Sequence, residues 1–314
     1  MNETVLPKGQ VDDDVIQPFS LEKANVRGRM VRLGKVLGEI MERHEYPPPV
    51  SALLSELVTL GLLLSGMLKY EGLFTLQIKG DGPVRMLVVD VTQDGGVRAY
   101  AGFDEAAVKK AAKRKTDLTN HYYHLLGKKG YLAFTVDQPG SSDRYQGIVE
   151  LKGESVVEAV QHYFTQSEQI KTAFKISIHP QDALWKTAAI MIQQLPDEND
   201  DSQGDTNNIE DWTRAAILLD SCTEGEMLSP VLHSADVLYR LYHEDGVRIY
   251  PPTHVKFRCR CGKKKVVDIL RTIPRAELEE LCEKEGKVSI TCEFCSEEYN
   301  FDMNQIDKIY KEKK

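Results

Sequence analysis

Four of the six cysteines lie in two close pairs near the C-terminal end of the chain. The first pair is Cys259 and Cys261, the second is Cys292 and Cys295, and residues 262–291 separate them. A tetrahedral Zn²⁺ site made of four thiolates needs ligands in such pairs, because a short turn aims two sulfur atoms at one point about 2.3 Å away. Gly262, directly after the first pair, is expected to allow the close backbone turn. The spacing predicts that these four cysteines bind one zinc ion per chain.

The composition indicates a globular protein in a reducing compartment. The chain has 314 residues, of which 41% are hydrophobic, and a net charge of −8. Its first ten residues lack the basic and apolar regions of a signal peptide, so we expect the protein to stay in the cytoplasm. There, clustered cysteines are metal ligands or redox groups more often than structural disulfides. The acidic net charge argues against nucleic acid as the main partner.

One apolar stretch, Val50 to Leu68, approaches the length of a membrane span. It carries Glu56 and is interrupted by Gly61 and Gly66, whereas a bilayer requires about 20 predominantly apolar residues. We interpret it as a buried core helix and expect no membrane partner.

Residues 1–196 show the pattern of an α+β domain with a largely antiparallel sheet. Gly80 to Pro83 has the composition of a hairpin turn. The spacing of apolar residues predicts helices over 21–45, 51–68, 106–114, 155–166 and 181–194, and strands over 73–79, 84–92, 97–102, 131–137, 146–152 and 172–178. Helices before and after a succession of strands favour the α+β class.

Residues 197–253 are predicted to form a linker that changes character along its length. Its first part is rich in Asp and Glu, and we expect residues 197–208 to be mobile, since such a stretch repels itself and buries little. Residues 212–242 have the spacing of short amphipathic helices. These helices must cover their apolar faces, either against the core domain or against another surface.

Residues 254–314 form the predicted zinc domain. A segment of this size is near the limit at which an apolar core alone is sufficient, so a metal would act as a staple. Cys282 lies in a predicted helix over 275–284 and Cys222 lies in the linker, and neither has a close partner in sequence. We expect both to be structural, because a free cysteine packs as a small apolar residue.

Four thiolate ligands leave no open coordination position, which excludes a catalytic zinc. The metal is then either a staple or a switch. Basic residues such as Arg258, Arg260 and Lys263 flank the first pair. Positive charge favours the thiolate, which is the species that oxidants attack. In small zinc domains the metal supplies about 10–16 kcal/mol of folding free energy, so a chain that lost it here would unfold in this region.

The chain resembles the heat shock protein 33 family of redox-regulated chaperones. Both cysteine pairs carry the resemblance, together with Tyr239 to Glu244, Tyr163 to Gln169 and Gly80 to Pro83. It implies that the four cysteines hold zinc when reduced and form the disulfides Cys259–Cys261 and Cys292–Cys295 when oxidised. It also implies zinc release, unfolding of the tail and linker, and ATP-independent holding of unfolded client proteins, often as a dimer. Residues 1–196 would then be the domain that binds clients and dimerises. Transfer of clients to ATP-dependent chaperones is expected to follow.

A second function class stays open, a zinc-ribbon regulator that binds nucleic acid through the basic residues of 256–265 and uses its zinc only structurally. Catalysis is not expected. His162, Ser167 and Glu168 lie close in sequence but point in different directions on a helix, and no third group orients a base. The segment 127–130 lacks the spacing of a phosphate-binding loop, and the basic run 109–115 is interpreted as a solvated helix face.

Overall fold

The computed structural model describes residue 11 and residues 13–66, 72–113, 121–137, 145–165, 170–181, 184–195 and 204–311. The chain divides into two compact units, Met1–Phe257 and Arg258–Lys314. The fold is α+β, as predicted. The elements of the first unit are β1 (Val15–Leu21), β2 (Val26–Leu33), α1 (Lys35–Met41), α2 (Pro48–Ser65), β3 (Leu73–Gly80), β4 (Val84–Thr92), β5 (Gly96–Phe103), α3 (Glu105–Ala112), α4 (His121–Leu126), β6 (Gly130–Asp137), β7 (Tyr145–Glu150), α5 (Val156–Tyr163), β8 (Thr172–Gln181), β9 (Leu184–Gln194), α6 (Gly204–Ser221), α7 (Glu224–Met227), α8 (Ser234–Tyr242), β10 (Val247–Ile249), β11 (Thr253–His254) and β12 (Lys256–Phe257).

Two sheets form the framework of the first unit. The first sheet has the order β10-β1-β2-β9-β8, with β11 also paired to β1, and all its strands are antiparallel. The second sheet has the order β12-β5-β4-β3-β6-β7, in which β12 and β5 are parallel and the other pairs antiparallel. The predicted hairpin at 80–83 joins β3 to β4.

Helix α2 packs against strands of both sheets, with β2, β8 and β9 on one side and β3, β4 and β5 on the other. Its length and composition would suit a membrane span, but 78% of it is buried inside the protein. Its side chains are apolar almost all the way round, which is the pattern of a helix without a solvent face. It is the core helix of this unit.

The prediction of one helix over 21–45 was wrong. Strand β1 ends at Leu21, β2 follows, and only α1 is helical. In β2 the buried residues Val26 and Met30 alternate with partly exposed Arg27 and Arg29. This alternation is the period of a strand. The apparent helical spacing arose because apolar residues of β2 and α1 were counted as one series.

The prediction of a helix over 181–194 was also wrong, because strand β9 occupies this segment. Ala188, Ile190 and Ile192 belong to one buried cluster, whereas Ala189 and Met191 belong to the other. A strand buried on both faces loses the apolar and polar alternation and reads as a continuous apolar run. Strand β9 is therefore shared between the two cores of the unit.

The linker helices predicted over 212–242 are present as α6, α7 and α8, and they pack on the first sheet. Apolar residues of α6 and α8 share a buried cluster with an apolar patch of that sheet. We call this patch the linker-covered face; its residues are Phe19, Leu21, Met30, Ile190 and Ile192. Of the segment predicted to be mobile, residues 197–203 lie outside the described residues. Residues 204–208 form the N-terminal part of α6, and their mobility stays a prediction.

Polar contacts hold the linker against the sheet. The buried guanidinium of Arg32 in β2 donates to the backbone carbonyls of Leu232, at 2.5 Å, and Ser229, at 2.6 Å. The ring of Tyr242 in α8 stacks on Phe19, with 5.9 Å between the centroids. Its hydroxyl donates to the carbonyl of Ala215 in α6, at 3.2 Å. One side chain of α8 thus joins two linker helices to the sheet.

The second unit is built around a small core of its own. Its elements are α9 (Lys263–Leu270), α10 (Arg275–Glu285), β13 (Val288–Thr291), β14 (Glu298–Phe301) and α11 (Met303–Lys311), with β13 and β14 forming an antiparallel hairpin. Leu270, Leu278, Phe301 and Ile306 are almost fully buried there, and Cys282 is buried among them. In the first unit, Cys222 follows α6 in the linker and is buried in the cluster that the linker helices share with the first sheet, and burial raises its pKa to about 11.

Candidate metal centre

The first cysteine pair directly precedes helix α9, and Gly262 is the residue that caps this helix at its N-terminus. Its φ of 165° is extended backbone, and a Cβ added there would meet nothing within 4 Å. The expectation that glycine permits a close turn at this position was therefore wrong, because any residue adopts this conformation. The local geometry comes instead from the start of the helix after the pair.

The second pair lies in the tight turn that connects β13 to β14. The carbonyl of Cys292 accepts hydrogen bonds from the N–H groups of Cys295, at 3.3 Å, and Ser296, at 2.8 Å. The N–H of Cys292 donates to the carbonyl of Glu297, at 2.9 Å. Ser296 has a φ of 57°, in the left-handed region. The hairpin thus closes through a serine in a position that usually favours glycine.

All four sulfur atoms come together in the second unit. Each lies within 4.8 Å of the others. Those of Cys259 and Cys292 are 3.7 Å apart, and those of Cys261 and Cys295 are 3.4 Å apart. A tetrahedron with metal–sulfur bonds of about 2.3 Å has edges of about 3.8 Å. The four sulfur atoms therefore have close to the spacing that one tetrahedral ion requires.

Electrostatics favour a cation at the centre of this cluster. Burial raises the pKa of Cys261 and of Cys295 above the ordinary thiol value. Without a cation, burial favours the protonated form of these two thiols, whereas a divalent ion deprotonates a coordinating thiol. Two of the flanking basic residues make other contacts: Lys265 donates to the carbonyl of Arg260, at 2.6 Å, and Lys263 lies 5.7 Å from the centre of the Phe301 ring.

Tyr299 contacts the cluster and was not found from the sequence. It lies in β14 opposite Ile290 of β13. Its hydroxyl donates a hydrogen bond to the sulfur of Cys261, with Oη and Sγ 3.2 Å apart, and this bond is the main reason why the pKa of Tyr299 is raised. The two residues are 38 positions apart. Only the hairpin register brings them together, so cysteine spacing gave no signal for it.

The segments set aside as catalytic or phosphate-binding candidates fall in ordinary positions. His162 is in α5, and Ser167 and Glu168 lie outside the described residues. Gly127 to Lys129 form the turn between α4 and β6. In the basic run, Lys109 pairs with Glu105 one helical turn away at 2.5 Å, and residues 114 and 115 lie outside the described part of the chain.

Comparison with known proteins places this architecture in a family. The family model described as Hsp33 protein matches residues 14–302. A protein named 33 kDa chaperonin from Caulobacter vibrioides is 37% identical over 305 residues, which cover 95% of this chain and 98% of the relative. The 33 kDa chaperonin of Aliivibrio salmonicida is 33% identical over 300 residues, which cover 96% of both chains.

A solved structure has the same fold. The crystal structure of the 33 kDa chaperonin from Thermotoga maritima superposes with a TM-score of 0.79 at 24% sequence identity, over 96% of this chain and 99% of that one. The family match includes all four cysteines of the cluster, since it extends from residue 14 to residue 302. The chain therefore belongs to the Hsp33 family, the 33 kDa chaperonins.

Proposed function

We propose that this chaperone is an ATP-independent holdase switched on by oxidation. In the resting state the four cysteines hold one Zn²⁺ and the linker stays on the first sheet. Oxidation forms the disulfides Cys259–Cys261 and Cys292–Cys295, releases the metal, and unfolds the second unit and the linker. Unfolded client proteins then bind to the exposed apolar surface, which prevents their aggregation.

The observation that carries the proposal is the four-sulfur cluster in a small separate unit. Its sulfur spacing fits a tetrahedral ion, and none of the six cysteines, all of which the structure describes, forms a disulfide. Bound Zn²⁺ would hold the four sulfurs as thiolates and join the two cysteine pairs. Because metal binding in domains of this kind supplies about 10–16 kcal/mol of folding free energy, losing the ion should unfold the unit.

The redox step uses only the cysteines and a peroxide. One thiolate attacks a peroxide oxygen, so that an S–O bond forms, the O–O bond breaks and hydroxide leaves. The second thiolate then attacks the resulting sulfenic acid, the S–S bond forms and a second hydroxide leaves. Formation of each disulfide thus passes two electrons from one pair of thiolates to one peroxide molecule.

Pairing between sequence neighbours is supported by chain entropy. The cross-pair sulfur contacts join residues 33 and 34 positions apart, whereas Cys259 and Cys261 have one residue between them and Cys292 and Cys295 have two. In an unfolding unit, closing the longer loops costs on the order of 2 kcal/mol more. Neighbour disulfides should therefore dominate once the unit has loosened.

The linker-covered face is the apolar surface that linker release would expose. It contains large side chains, Phe19, Leu21 and Met30 among them, that are at most 1% exposed while the linker is docked. Burial of apolar surface is non-directional and depends mainly on area. A client would thus be recognised by exposed apolar residues rather than by sequence, which supports a broad client range.

Three further parts of the proposal rest on family membership. We assign the protein to the cytoplasm, where glutathione and thioredoxin keep the resting thiols reduced. The oxidised form is a homodimer, and it passes its clients to ATP-dependent chaperones. Size-exclusion chromatography of reduced and oxidised protein tests the dimer, and client refolding after addition of an ATP-dependent chaperone tests the transfer.

The central experiment follows zinc and client together. Purified zinc-loaded protein is treated with peroxide at mildly raised temperature while a metal-sensitive dye reports zinc and light scattering reports aggregation of a denaturing client. The proposal requires release of one zinc per chain, suppressed aggregation, and reversal of both by dithiothreitol. Peptide mapping should find Cys259–Cys261 and Cys292–Cys295, and the matched variant Cys282→Ala should behave as the wild type.

Two results would refute the proposal. Zinc retained under peroxide, or zinc lost without any gain in holding, would leave the cluster as a structural staple. In that case the alternative of a zinc-ribbon regulator is tested by titrating the protein with duplex DNA at increasing salt, since affinity for nucleic acid falls steeply with ionic strength.

A further inference from the structure

Tyr299 reaches the sulfur cluster from a strand that supplies no ligand. Its hydroxyl lies 3.2 Å from the sulfur of Cys261, and the ring is partly buried against the small core of the second unit. The pairing of Tyr299 with Ile290 across the β13–β14 hairpin fixes its position along the strand. The contact therefore depends on a hydrogen-bonded framework and not on a flexible loop.

The chemistry of this contact is directional. A thiolate can only accept hydrogen bonds, and a phenol hydroxyl is a good donor. A hydrogen bond to an ionised acceptor is stronger than a neutral one, and partners of this kind tune metal-bound ligands by changing their basicity. The phenol thus draws electron density from one sulfur of the four and makes that sulfur a weaker nucleophile.

We propose that Tyr299 is a positioning residue that slows the reaction of Cys261 with peroxide and so sets the oxidant level at which the switch operates. The proposal rests on the redox function proposed above. The affected step is the attack of the Cys261 thiolate on a peroxide oxygen, in which the S–O bond forms, the O–O bond breaks and hydroxide leaves. The sulfur electron density that attacks the peroxide is the density that accepts the hydrogen bond from the Tyr299 hydroxyl.

The variant Tyr299→Phe removes the donor and keeps the ring. Tyr310→Phe is a matched control, because the Tyr310 hydroxyl also lies in the second unit but donates to backbone carbonyls, among them that of Leu270 at 2.9 Å. Each variant removes one partly buried hydroxyl group from the second unit. Only the first changes a contact with sulfur.

The first measurement is the rate at which each cysteine of the full-length, zinc-loaded protein reacts with iodoacetamide, read by peptide mass mapping. We expect Tyr299→Phe to raise the rate at Cys261 by roughly tenfold, the lower end of what such partners contribute. The rate at Cys292 should change by less than about twofold, and Tyr310→Phe should match the wild type at both positions. Zinc release under peroxide should accelerate in parallel.

Two further readouts separate an electronic role from a structural one. In the Co²⁺-substituted protein, the sulfur-to-cobalt charge-transfer band should shift in Tyr299→Phe and stay in place in Tyr310→Phe. Incorporation of 3-fluorotyrosine at position 299 gives a stronger donor of nearly the same shape and should slow the reaction of Cys261. The fluorotyrosine protein is thus expected to change the rate in the direction opposite to Tyr299→Phe. This test stays valid even if the phenylalanine variant folds poorly.

An unchanged rate at Cys261 in Tyr299→Phe would overturn the inference, as would equal acceleration at all four cysteines. The alkylation experiment uses no oxidant, so it tests Tyr299 even if the proposed function fails. Failure of the proposed function would show as zinc retention by the wild type under peroxide. Failure of the inference would show as wild-type zinc release that Tyr299→Phe leaves unchanged.

Discussion

Replacing Tyr242 by phenylalanine removes one oxygen atom from the contact between the linker helices and the first sheet. The Tyr242 side chain is fully buried, its ring stacks on Phe19, and its hydroxyl donates to the carbonyl of Ala215 at 3.2 Å. The ring and its packing stay in the variant. The change therefore isolates the hydrogen bond that joins α8 to α6.

The size of the expected destabilisation depends on the hydrogen bond that the Ala215 carbonyl retains in the variant. Ala215 lies inside α6, so its carbonyl still accepts the helical hydrogen bond from four residues further on. Loss of the second, buried bond should then cost about 1 kcal/mol. A change of that size raises the population with an undocked linker about fivefold.

Hydrogen exchange measures this population directly. In reduced, zinc-loaded protein, amides of α8 should lose about fivefold in protection. Tyr46→Phe is the matched control, because the Tyr46 hydroxyl accepts from the N–H of Ala101 in the second sheet, at 3.1 Å. Tyr46→Phe should lower the stability of the first unit by a similar amount. The amide protection of α8 should not fall more than that of the elements around it. Unchanged protection of α8 in Tyr242→Phe, or an equal loss in Tyr46→Phe, would refute the assignment of this contact to linker docking.

Three further outcomes are expected. Burial raises the pKa of Glu56 from 4.5 to about 7, so the folded state keeps a proton that the unfolded state releases. The free energy of unfolding of the first unit should therefore fall as the pH rises between these values, by at most about 3 kcal/mol, and Glu56→Gln should abolish this fall in urea titrations across that window. Gly28→Ala would place a Cβ 2.1 Å from the ring of Phe19 and should cost about 1–3 kcal/mol by urea unfolding, whereas Gly262→Ala should leave zinc content and stability unchanged. Stripping zinc from the reduced protein with a strong chelator should abolish amide protection in residues 258–311, and retained protection there would contradict the role given to the metal.

The sequence predicted the second sheet well and the first sheet poorly, for a physical reason. Strands β3 and β5 alternate buried residues with more exposed ones, and the predicted bounds of β3 to β7 lie within two residues of the observed ones. Strand β9 has a core on each face, so its residues carry no alternation. Its sequence pattern was therefore mistaken for that of a helix. The reason is that the linker helices pack on the face of β9 that would otherwise be exposed to solvent.

The candidate site divides in the same way. The four cysteines could be grouped from their spacing because each pair is local in sequence. The contact of Tyr299 with Cys261 could not, because it depends on the hairpin that places β14 beside the cluster. Gly262 shows the opposite error, since a glycine next to a ligand suggested a strained turn where the backbone is extended.

The docked linker is a ligand that belongs to the same chain as its binding surface. A tethered segment has an effective concentration in the millimolar range when its tether is short. A client at micromolar concentration therefore starts with a disadvantage of about a thousandfold, or about 4 kcal/mol, before any difference in contacts is counted. The contacts that Arg32 and Tyr242 make with the linker add to this disadvantage. If clients bind the linker-covered face as proposed, competition by the linker protects this surface in addition to burial, and other proteins would occupy it only after the docked linker has been weakened.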